Sequence, residues 1–486
     1  MPSADTENQR HLARGFNWLG SATIIARVTD FVTIILVLTF LTKAQVGVAS
    51  LVLAVAMVIE AFDGLGTGDA LIQAESVSDQ QRHSLFWFIM GLAIFVGLVA
   101  EAVSPLFGWI YGLGNMPLYF ALVALKQPLV GGAVISIATL NRELRYEKIA
   151  IINVATTFGA ALVRLAIAVM GGGSWALIGG YFCSGLFILC GALWACPYKP
   201  RLYFHFASIR PLLSFGWRSA SANIFDQAFR NIDSLLVGWF YGAAVLAAYR
   251  VAFSLAMEPA TAVSALVNRT ALPVFARVLK EPEQLRGALL WSMQRLVTLT
   301  APCTIGLALM AVPLCSMLHD AQGKSYLIAA LPLQILSVAA LLRVMTQLVT
   351  PVLMSAGRPG TVATLSFTTL SILSGLILIV GFLVRGPWGL IAVSIAWLAV
   401  YPALLAWVLR YLRSDWLVST EAVLGKLALP ALAVALMIIF AYVARLLPYG
   451  ENHLVRVITV CILTALAYMG LIWHGKRKTR AEEMSA

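Results

Sequence analysis

The sequence predicts an all-α polytopic membrane protein that crosses the bilayer about 14 times. Of its 486 residues, 60% are hydrophobic and only 12% are charged, a balance that excludes an ordinary soluble domain. The apolar residues fall into long segments, and roughly 20 apolar residues are enough to cross the hydrocarbon core. A stripe of charged residues occurs in both the first and the seventh segment, which predicts two related halves.

The predicted architecture is two pseudo-symmetric six-helix bundles followed by a C-terminal helix pair. The bundles cover 16–196 and 212–410, joined by a cytoplasmic linker at 197–211, and helices 13 and 14 lie within 411–473. The N-terminus at 1–15 and the tail at 474–486 are expected in the cytoplasm, with no signal peptide. The fourteen segments are 16–42, 46–70, 84–109, 116–140, 149–170, 174–196, 212–240, 243–268, 288–318, 326–356, 360–384, 387–410, 426–447 and 453–473.

The first segment carries Arg27 and Asp30 near its middle, three residues apart and therefore on one helix face. The seventh segment repeats this spacing with Arg230 and Asp233, and it adds Asp226 on the same face. A charge at this depth costs between about 3 and 10 kcal/mol if it faces lipid. These two stripes should therefore face protein or a water-filled cavity.

The distribution of basic residues between loops predicts the orientation. With the N-terminus inside, the inner loops and termini hold most of the 34 Lys and Arg residues, whereas the outer loops and their margins hold Lys43, Lys324, Arg385, Arg445 and Arg456. This is a strong positive-inside signal, and it places both termini in the cytoplasm. The same distribution explains most of the net charge of +12, so a nucleic-acid partner is not expected.

Further deep charges correspond between the halves. Lys126 in helix four matches Arg343 in helix ten, and Glu60 in helix two matches Glu258 in helix eight. Since each half crosses the membrane an even number of times, the repeat is parallel, and a ligand site is expected between the halves. The candidate substrate-binding cations are Arg27, Lys126, Arg164, Arg230, Arg250 and Arg343, and the candidate cavity or ion-coupling acids are Asp30, Glu60, Asp226, Asp233 and Glu258.

Clustered guanidinium and ammonium groups favour an anionic ligand, and a diphosphate suits several spaced cations better than one carboxylate does. The acids would keep the empty cavity closer to neutral and could exchange protons. The alternative interpretation is structural. Arg27 with Asp30, and Arg230 with Asp233, could pair within their own helices. Arg164 and Arg250 could instead reach the outer interface.

No catalytic residue, metal site or cofactor is predicted. The six cysteines form no CxxC pair, and no nucleotide-binding or nucleophile motif is present. The outer loops are short, and none could hold a catalytic domain. Gly171 to Ser174 joins helices five and six, and Tyr241 with Gly242 joins helices seven and eight.

Several motifs resemble the polysaccharide transporters known as Wzx-type flippases, specifically the colanic-acid and exopolysaccharide exporters. They are FLTKAQVG at 40–47, GLGTGDALIQ at 64–73, RNID at 230–233, YRVAF at 249–253, LPVFAR at 272–277 and AGRP at 356–359. The resemblance covers about residues 12–420. At 247–249 the chain has AAY where the family usually has Leu-Gly-x-Tyr.

This resemblance implies the multidrug/oligosaccharidyl-lipid/polysaccharide superfamily fold, with two bundles that alternate between inward and outward openings. It implies undecaprenyl-diphosphate-linked oligosaccharide repeat units as the substrate and membrane lipids as partners, with polymerase and chain-length proteins as further candidate partners. Three alternatives remain: a lipid II flippase, a cation-coupled drug antiporter of the same superfamily, and a membrane-embedded polysaccharide polymerase. The sugar composition, the coupling ion and the oligomeric state stay open.

Overall fold

A computed structural model describes residues 4–74, 77–279, 281–356, 358–386, 388–416, 419–445, 466, 468 and 470. Within these residues the secondary structure is helical, apart from turns and one isolated bridge between His319 and Ser325. Twelve of the described helical stretches are long and apolar enough to cross a membrane. The predicted all-α membrane class is therefore confirmed, whereas the count of 14 spans stays a prediction.

The helices of the first half follow the predicted order. Thr42 caps α2 through a reciprocal hydrogen-bonded pair with Gln45, and Ser78 caps α4 in the same way with Gln81. Gly112 ends α4 in the left-handed conformation. The bounds are α1 Ala4–Leu38, α2 Lys43–Glu60, α3 Thr67–Gln73, α4 Asp79–Tyr111, α5 Met116–Arg142, α6 Tyr146–Val169 and α7 Trp175–Ala195.

The described part of the second half contains one very long helical stretch and six shorter α-helices. The long one, α8, spans Phe206–Val278, but Gly242 inside it has φ 79° and ψ 173° and interrupts the helix. This is the position at which the sequence predicts the turn between helices seven and eight. The other helices are α9 Pro282–Met317, α10 Ala330–Gln347, α11 Val349–Ser355, α12 Pro359–Leu383, α13 Trp388–Trp416 and α14 Thr420–Arg445.

The chain forms two compact units. Unit 1 comprises Met1–Ala247 with Asp320–Gln322, and unit 2 comprises Ala248–His319 with Gly323–Ala486. In unit 1, α5 packs on α4 and α7, and α6 packs on α1 and α7. In unit 2, α10 packs on α9 and α13, and α14 packs on α9.

The first part of α8 packs within unit 1, since Tyr111 Oη donates a hydrogen bond of 3.1 Å to Leu235 O. The proposed bundle boundaries at 196 and 212 remain predictions. Most of the predicted last helix at 453–473 lies outside the described residues, although Tyr468 Oη donates to Thr298 O at 3.0 Å.

The predicted second segment is broken near its end. Between α2 and α3 a short 3-10 turn runs over Asp63–Gly66, and three consecutive residues in it have positive φ: 63° at Gly64, 43° at Leu65 and 67° at Gly66. Glycine adopts this conformation freely, whereas leucine does so at a cost of about 1–2 kcal/mol. The break separates the end of α2, with Glu60, from α3.

Candidate functional site

Lys126 lies at the centre of the charged site of unit 1. It is on α5 and only 6% exposed. Its Nζ forms an ion pair with Glu60 Oε1 at the end of α2, and the same nitrogen lies 3.4 Å from the ring centroid of Tyr181 on α7. A carboxylate and an aromatic face both stabilise a buried ammonium. Lys126 is therefore held from two neighbouring helices.

A second carboxylate joins this group because α2 ends just after Glu60. Asp63 opens the 3-10 turn, and Gln127, with its amide nitrogen towards Asp63, donates a hydrogen bond to Asp63 Oδ2 at 3.1 Å. Lys126 and Gln127 are adjacent on α5, so one helical turn supplies both partners. The group thus combines two acids with one cation and one neutral amide.

The two acids and Lys126 border a cavity of about 370 Å³ within unit 1. Its polar lining includes Glu60, Asp63, Lys126 and Gln227, and the remaining lining residues are Ala61, Val130, Thr156, Ser184 and Ile188. Irregular backbone at membrane depth is tolerated where it lines such a cavity. The break after α2 meets this condition, because Ala61 and Asp63 both contribute to the wall.

A second ion pair of unit 1 joins α1 to α6. Arg164 Nη1 donates to Asp30 Oδ1 at 2.9 Å, and the two side chains are 19% and 41% exposed. The structural alternative from the sequence was a pair between Arg27 and Asp30 within α1. The carboxylate of Asp30 instead reaches across to another helix, and Arg164 does not need to extend to the outer interface to find a partner.

Two glycines of α7 make room for these cations. A Cβ atom on Gly180 would lie 2.1 Å from Arg164 Cγ, and one on Gly185 would lie 2.7 Å from Lys126 Cγ. Real Cβ atoms do not approach other atoms this closely. Glycine is therefore required at both positions so that the aliphatic parts of the Arg164 and Lys126 side chains can pass over α7.

Replacing Gly180 by Ala is expected to lower the thermal unfolding midpoint of the purified protein by several degrees. The added methyl group overpacks the site at a cost of about 1–3 kcal/mol, and it pushes Arg164 away from Asp30. Gly91→Ala on α4 is the matched control, because its Cβ meets nothing within 4 Å and the helix gains up to about 1 kcal/mol. Equal midpoints for the two variants would contradict the packing described above.

In unit 2, the buried cation is Arg343 on α10, which is 7% exposed. Its Nη1 donates to the sulfur of Met257 at 3.7 Å, and its guanidinium carbon lies 5.8 Å from the ring centroid of Trp397 on α13. Trp397 is fixed in turn by a 2.8 Å hydrogen bond from its Nε1 to Tyr249 Oη. A thioether and an aromatic face surround this cation without neutralising it.

The two units use the same arrangement. Numbered within each predicted half, a buried cation on the fourth membrane helix contacts the second helix and lies over an aromatic ring of the sixth. Lys126 has Glu60 and Tyr181 as these neighbours, and Arg343 has Met257 and Trp397. The surroundings of Lys126 and Arg343 therefore agree with the predicted correspondence of these two residues. Met257 immediately precedes Glu258, the predicted counterpart of Glu60.

The other predicted site residues differ in how far they are buried. Arg27, Arg230 and Glu258 are exposed, and none of them lines the cavity of unit 1. Arg250 is half-buried, with its guanidinium carbon 5.9 Å from the Phe253 ring centroid. Asp233 is fully buried, and its Oδ1 accepts a hydrogen bond of 2.8 Å from the backbone nitrogen of Ser234. Asp226 lies on α8, and its side chain is outside the described residues.

Sequence reasoning missed Tyr181, Trp397 and Gln127. A signal was present for Trp397, which lies in the middle of its segment rather than at an end, where interfacial aromatic residues concentrate. Gln127 is adjacent to a deep cation, and a neutral amide beside a charge in a membrane helix needs a polar partner. Tyr181 had no comparable signal, because its role depends on how α7 packs on α5.

Comparison with solved structures identifies the fold. The fold is similar to the lipid II flippase MurJ in an inward closed conformation, with a TM-score of 0.74, 14% identity and coverage of 95% of this chain and 99% of that one. It is also similar to an inward-facing multidrug resistance MATE family transporter, with a TM-score of 0.67, 13% identity and coverage of 80% and 95%. The chain is a multi-pass membrane protein that shares the fold of these two proteins.

The chain belongs to the family described as "Polysaccharide biosynthesis protein", whose model matches residues 37–330. It is 23% identical over 350 residues to the lipopolysaccharide biosynthesis protein WzxC of Escherichia coli, covering 71% of this chain and 70% of WzxC. It is 23% identical over 317 residues to the succinoglycan biosynthesis transport protein ExoT of Rhizobium meliloti, covering 65% and 64%. The resemblance predicted from the motifs is thereby confirmed.

Proposed function

We propose that this protein is a flippase for undecaprenyl-diphosphate-linked oligosaccharide repeat units in exopolysaccharide or surface polysaccharide biosynthesis. It moves each unit from the inner to the outer leaflet by alternating access. The observation that carries the proposal is the family match over residues 37–330 in a chain with the fold of a lipid-linked precursor flippase. The names of WzxC and ExoT support a polysaccharide precursor over lipid II.

The buried cations provide the chemistry for a diphosphate headgroup. Arg343 contacts a sulfur and an indole ring, so a phosphate oxygen would supply the negative charge that these neighbours do not. Lys126 is already paired with Glu60, so an arriving phosphate competes with that carboxylate for the ammonium. Arg164 is shared with Asp30 in the same way. Arg27, Arg230 and Arg250 are secondary candidates that would contact the headgroup as it passes.

This competition suggests how a proton could be coupled to transport. If Glu60 takes up a proton, it releases Lys126 for the diphosphate, and substrate departure restores the ion pair. Asp63 lies three residues further along and shares the same cavity wall. We therefore assign Glu60 and Asp63 as the leading coupling acids, ahead of Asp30, Asp226, Asp233 and Glu258.

The protein would act in the bacterial inner membrane with both termini in the cytoplasm, as the loop charges predict. The lipid-linked glycan and the surrounding membrane lipids are its direct partners. A polymerase and chain-length proteins would use the units that it delivers to the outer face. This order of reactions requires glycosyltransferases on the cytoplasmic side and polymerisation on the opposite side.

Deletion of the gene in its host tests this function. We expect loss of the polysaccharide and accumulation of lipid-linked repeat units that a membrane-impermeant glycosidase cannot reach from the periplasmic side of spheroplasts. Reintroducing the wild-type gene should restore both polymer and accessibility. A polymerase defect would instead leave accessible single units, and a drug antiporter defect would leave the polymer unchanged. Either of the last two results would overturn the proposal.

A further inference from the structure

The predicted linker at 197–211, which includes the first turn of α8, is attached to the start of α4 by a series of hydrogen bonds. Trp87 Nε1 donates to Arg201 O at 2.9 Å, and Gln81 Nε2 donates to Ser208 O at 3.1 Å. Ser84 Oγ accepts from the backbone nitrogen of His205 at 3.0 Å. Gln81, Ser84 and Trp87 are spaced by three residues, so one face of α4 binds the linker.

His83 adds two contacts on the same helix. Its Nδ1 accepts from the backbone nitrogen of Arg201 at 3.2 Å and lies 2.7 Å from Tyr198 Oη. Burial raises the pKa of Tyr198 to about 12, with a smaller increase from Asp79 and an opposing effect from Arg82. The phenol therefore remains protonated at physiological pH and continues to donate. The linker is a fixed part of unit 1 rather than a loose connection.

This attachment leaves large apolar side chains of the linker exposed. The backbone groups of Arg201 and His205 are bonded to α4, whereas Leu202, Phe204 and Phe206 are 91%, 55% and 52% exposed. Three large apolar side chains are thus exposed on a segment whose backbone is bonded to α4, next to the ends of two membrane helices.

Basic side chains flank these apolar residues. Lys199, Arg201 and Arg210 are all exposed, and no acidic residue occurs between 197 and 211. Apolar side chains bordered by cations are the composition of segments that lie in the membrane interface, where the apolar groups enter the acyl region and the cations meet anionic headgroups. Charge complementarity therefore selects an acidic lipid surface over a protein partner.

We propose that residues 199–210 form a membrane-interface anchor that binds anionic phospholipids, with Leu202, Phe204 and Phe206 inserted among the lipids. The anchor is independent of the transported substrate. It ties unit 1 to the leaflet next to the linker, and α4 holds it in place through His83 and Trp87. The lipid composition of this leaflet would then act directly on the segment that connects the two predicted bundles.

The test places a small fluorescent amino acid at Leu202 in the full-length protein, reconstituted in phosphatidylcholine vesicles with or without phosphatidylglycerol. Gln80, exposed on the first turn of α4, is the matched control position. We expect quenching by lipids with a headgroup-proximal nitroxide to be about threefold stronger at 202 than at 80, and to increase further with phosphatidylglycerol.

The double variant Lys199→Glu and Arg201→Glu should remove the increase caused by phosphatidylglycerol while leaving elution of the protein as a single species unchanged. Because both side chains are exposed, this variant is expected to fold. Equal quenching at positions 202 and 80 would overturn insertion. Anionic lipid binding would be overturned if quenching at position 202 did not respond to phosphatidylglycerol. It would also be overturned if the double variant responded as strongly as the parent protein.

Discussion

Replacing Lys126 by Met is expected to abolish polysaccharide export and to destabilise the protein. The substitution leaves the carboxylate of Glu60 without its ammonium partner in a mostly enclosed site. Removing one member of a buried pair costs roughly 3–5 kcal/mol, and about 3 kcal/mol is expected here because Glu60 is 28% exposed. Polymer yield and the thermal midpoint of the purified protein measure the two effects.

The double variant Lys126→Met with Glu60→Gln separates stability from function. Neutralising both partners removes the unpaired charge, so the thermal midpoint should return towards the wild-type value. Polymer yield should stay at least about tenfold below wild type, because the cation that attracts the diphosphate is absent. If the double variant restores polymer yield together with stability, the pair is purely structural and Lys126 does not bind the substrate.

Replacing Gly66 by Ala is expected to have the second-largest effect, through the packing of the broken second helix. A Cβ at this position would lie 2.3 Å from Gly216 O, a backbone atom of α8 that cannot move away as a flexible side chain can. Its φ of 67° adds about 1–2 kcal/mol of strain for any residue with a Cβ. Together with overpacking, the free energy of unfolding should fall by about 3 kcal/mol.

Gly68→Ala is the matched control, two residues further along in α3. Its Cβ would meet only Val134 Cγ1 at an ordinary 3.7 Å, and alanine favours the helix by up to about 1 kcal/mol. We expect Gly68→Ala to reach the membrane at wild-type levels and Gly66→Ala to be reduced severalfold, as measured by fluorescence-detected size-exclusion chromatography. Similar levels for both variants would mean that the close approach of Gly66 to Gly216 is not required.

The fold was predictable because membrane helices have a strong local signal. The length and hydropathy of each segment, like the turn at Gly242, depend on residues that are close together in the sequence. The sequence alone therefore indicated the segments. The left-handed turn at 64–66 was not predicted, although two of its three residues are glycines. The turn lies close to Gly216 of α8, and a contact between such distant segments leaves no periodic pattern in the sequence.

The candidate site was predictable in its residues but not in its pairings. Deep charges are costly, so Lys126, Arg164, Arg343 and Glu60 were identified from depth alone. Their partners depend on which helices are neighbours. Asp30 was considered with Arg27 one turn away, yet the structure pairs it with Arg164 on α6. The aromatic rings of Tyr181 and Trp397 complete the sites through contacts between helices four and six of each half.

Translocation by the purified protein tests the central claim most directly. Proteoliposomes would contain a fluorescent undecaprenyl-diphosphate oligosaccharide in the inner leaflet, and a membrane-impermeant glycosidase or quencher would report its arrival outside. Wild-type protein should make the internal lipid accessible, whereas Lys126→Met with Glu60→Gln at equal incorporation should match protein-free vesicles. Two results would contradict transport through the charged site at Lys126. One is that the lipid is equally accessible with wild-type protein and in empty vesicles, and the other is that wild type and the double variant make it equally accessible.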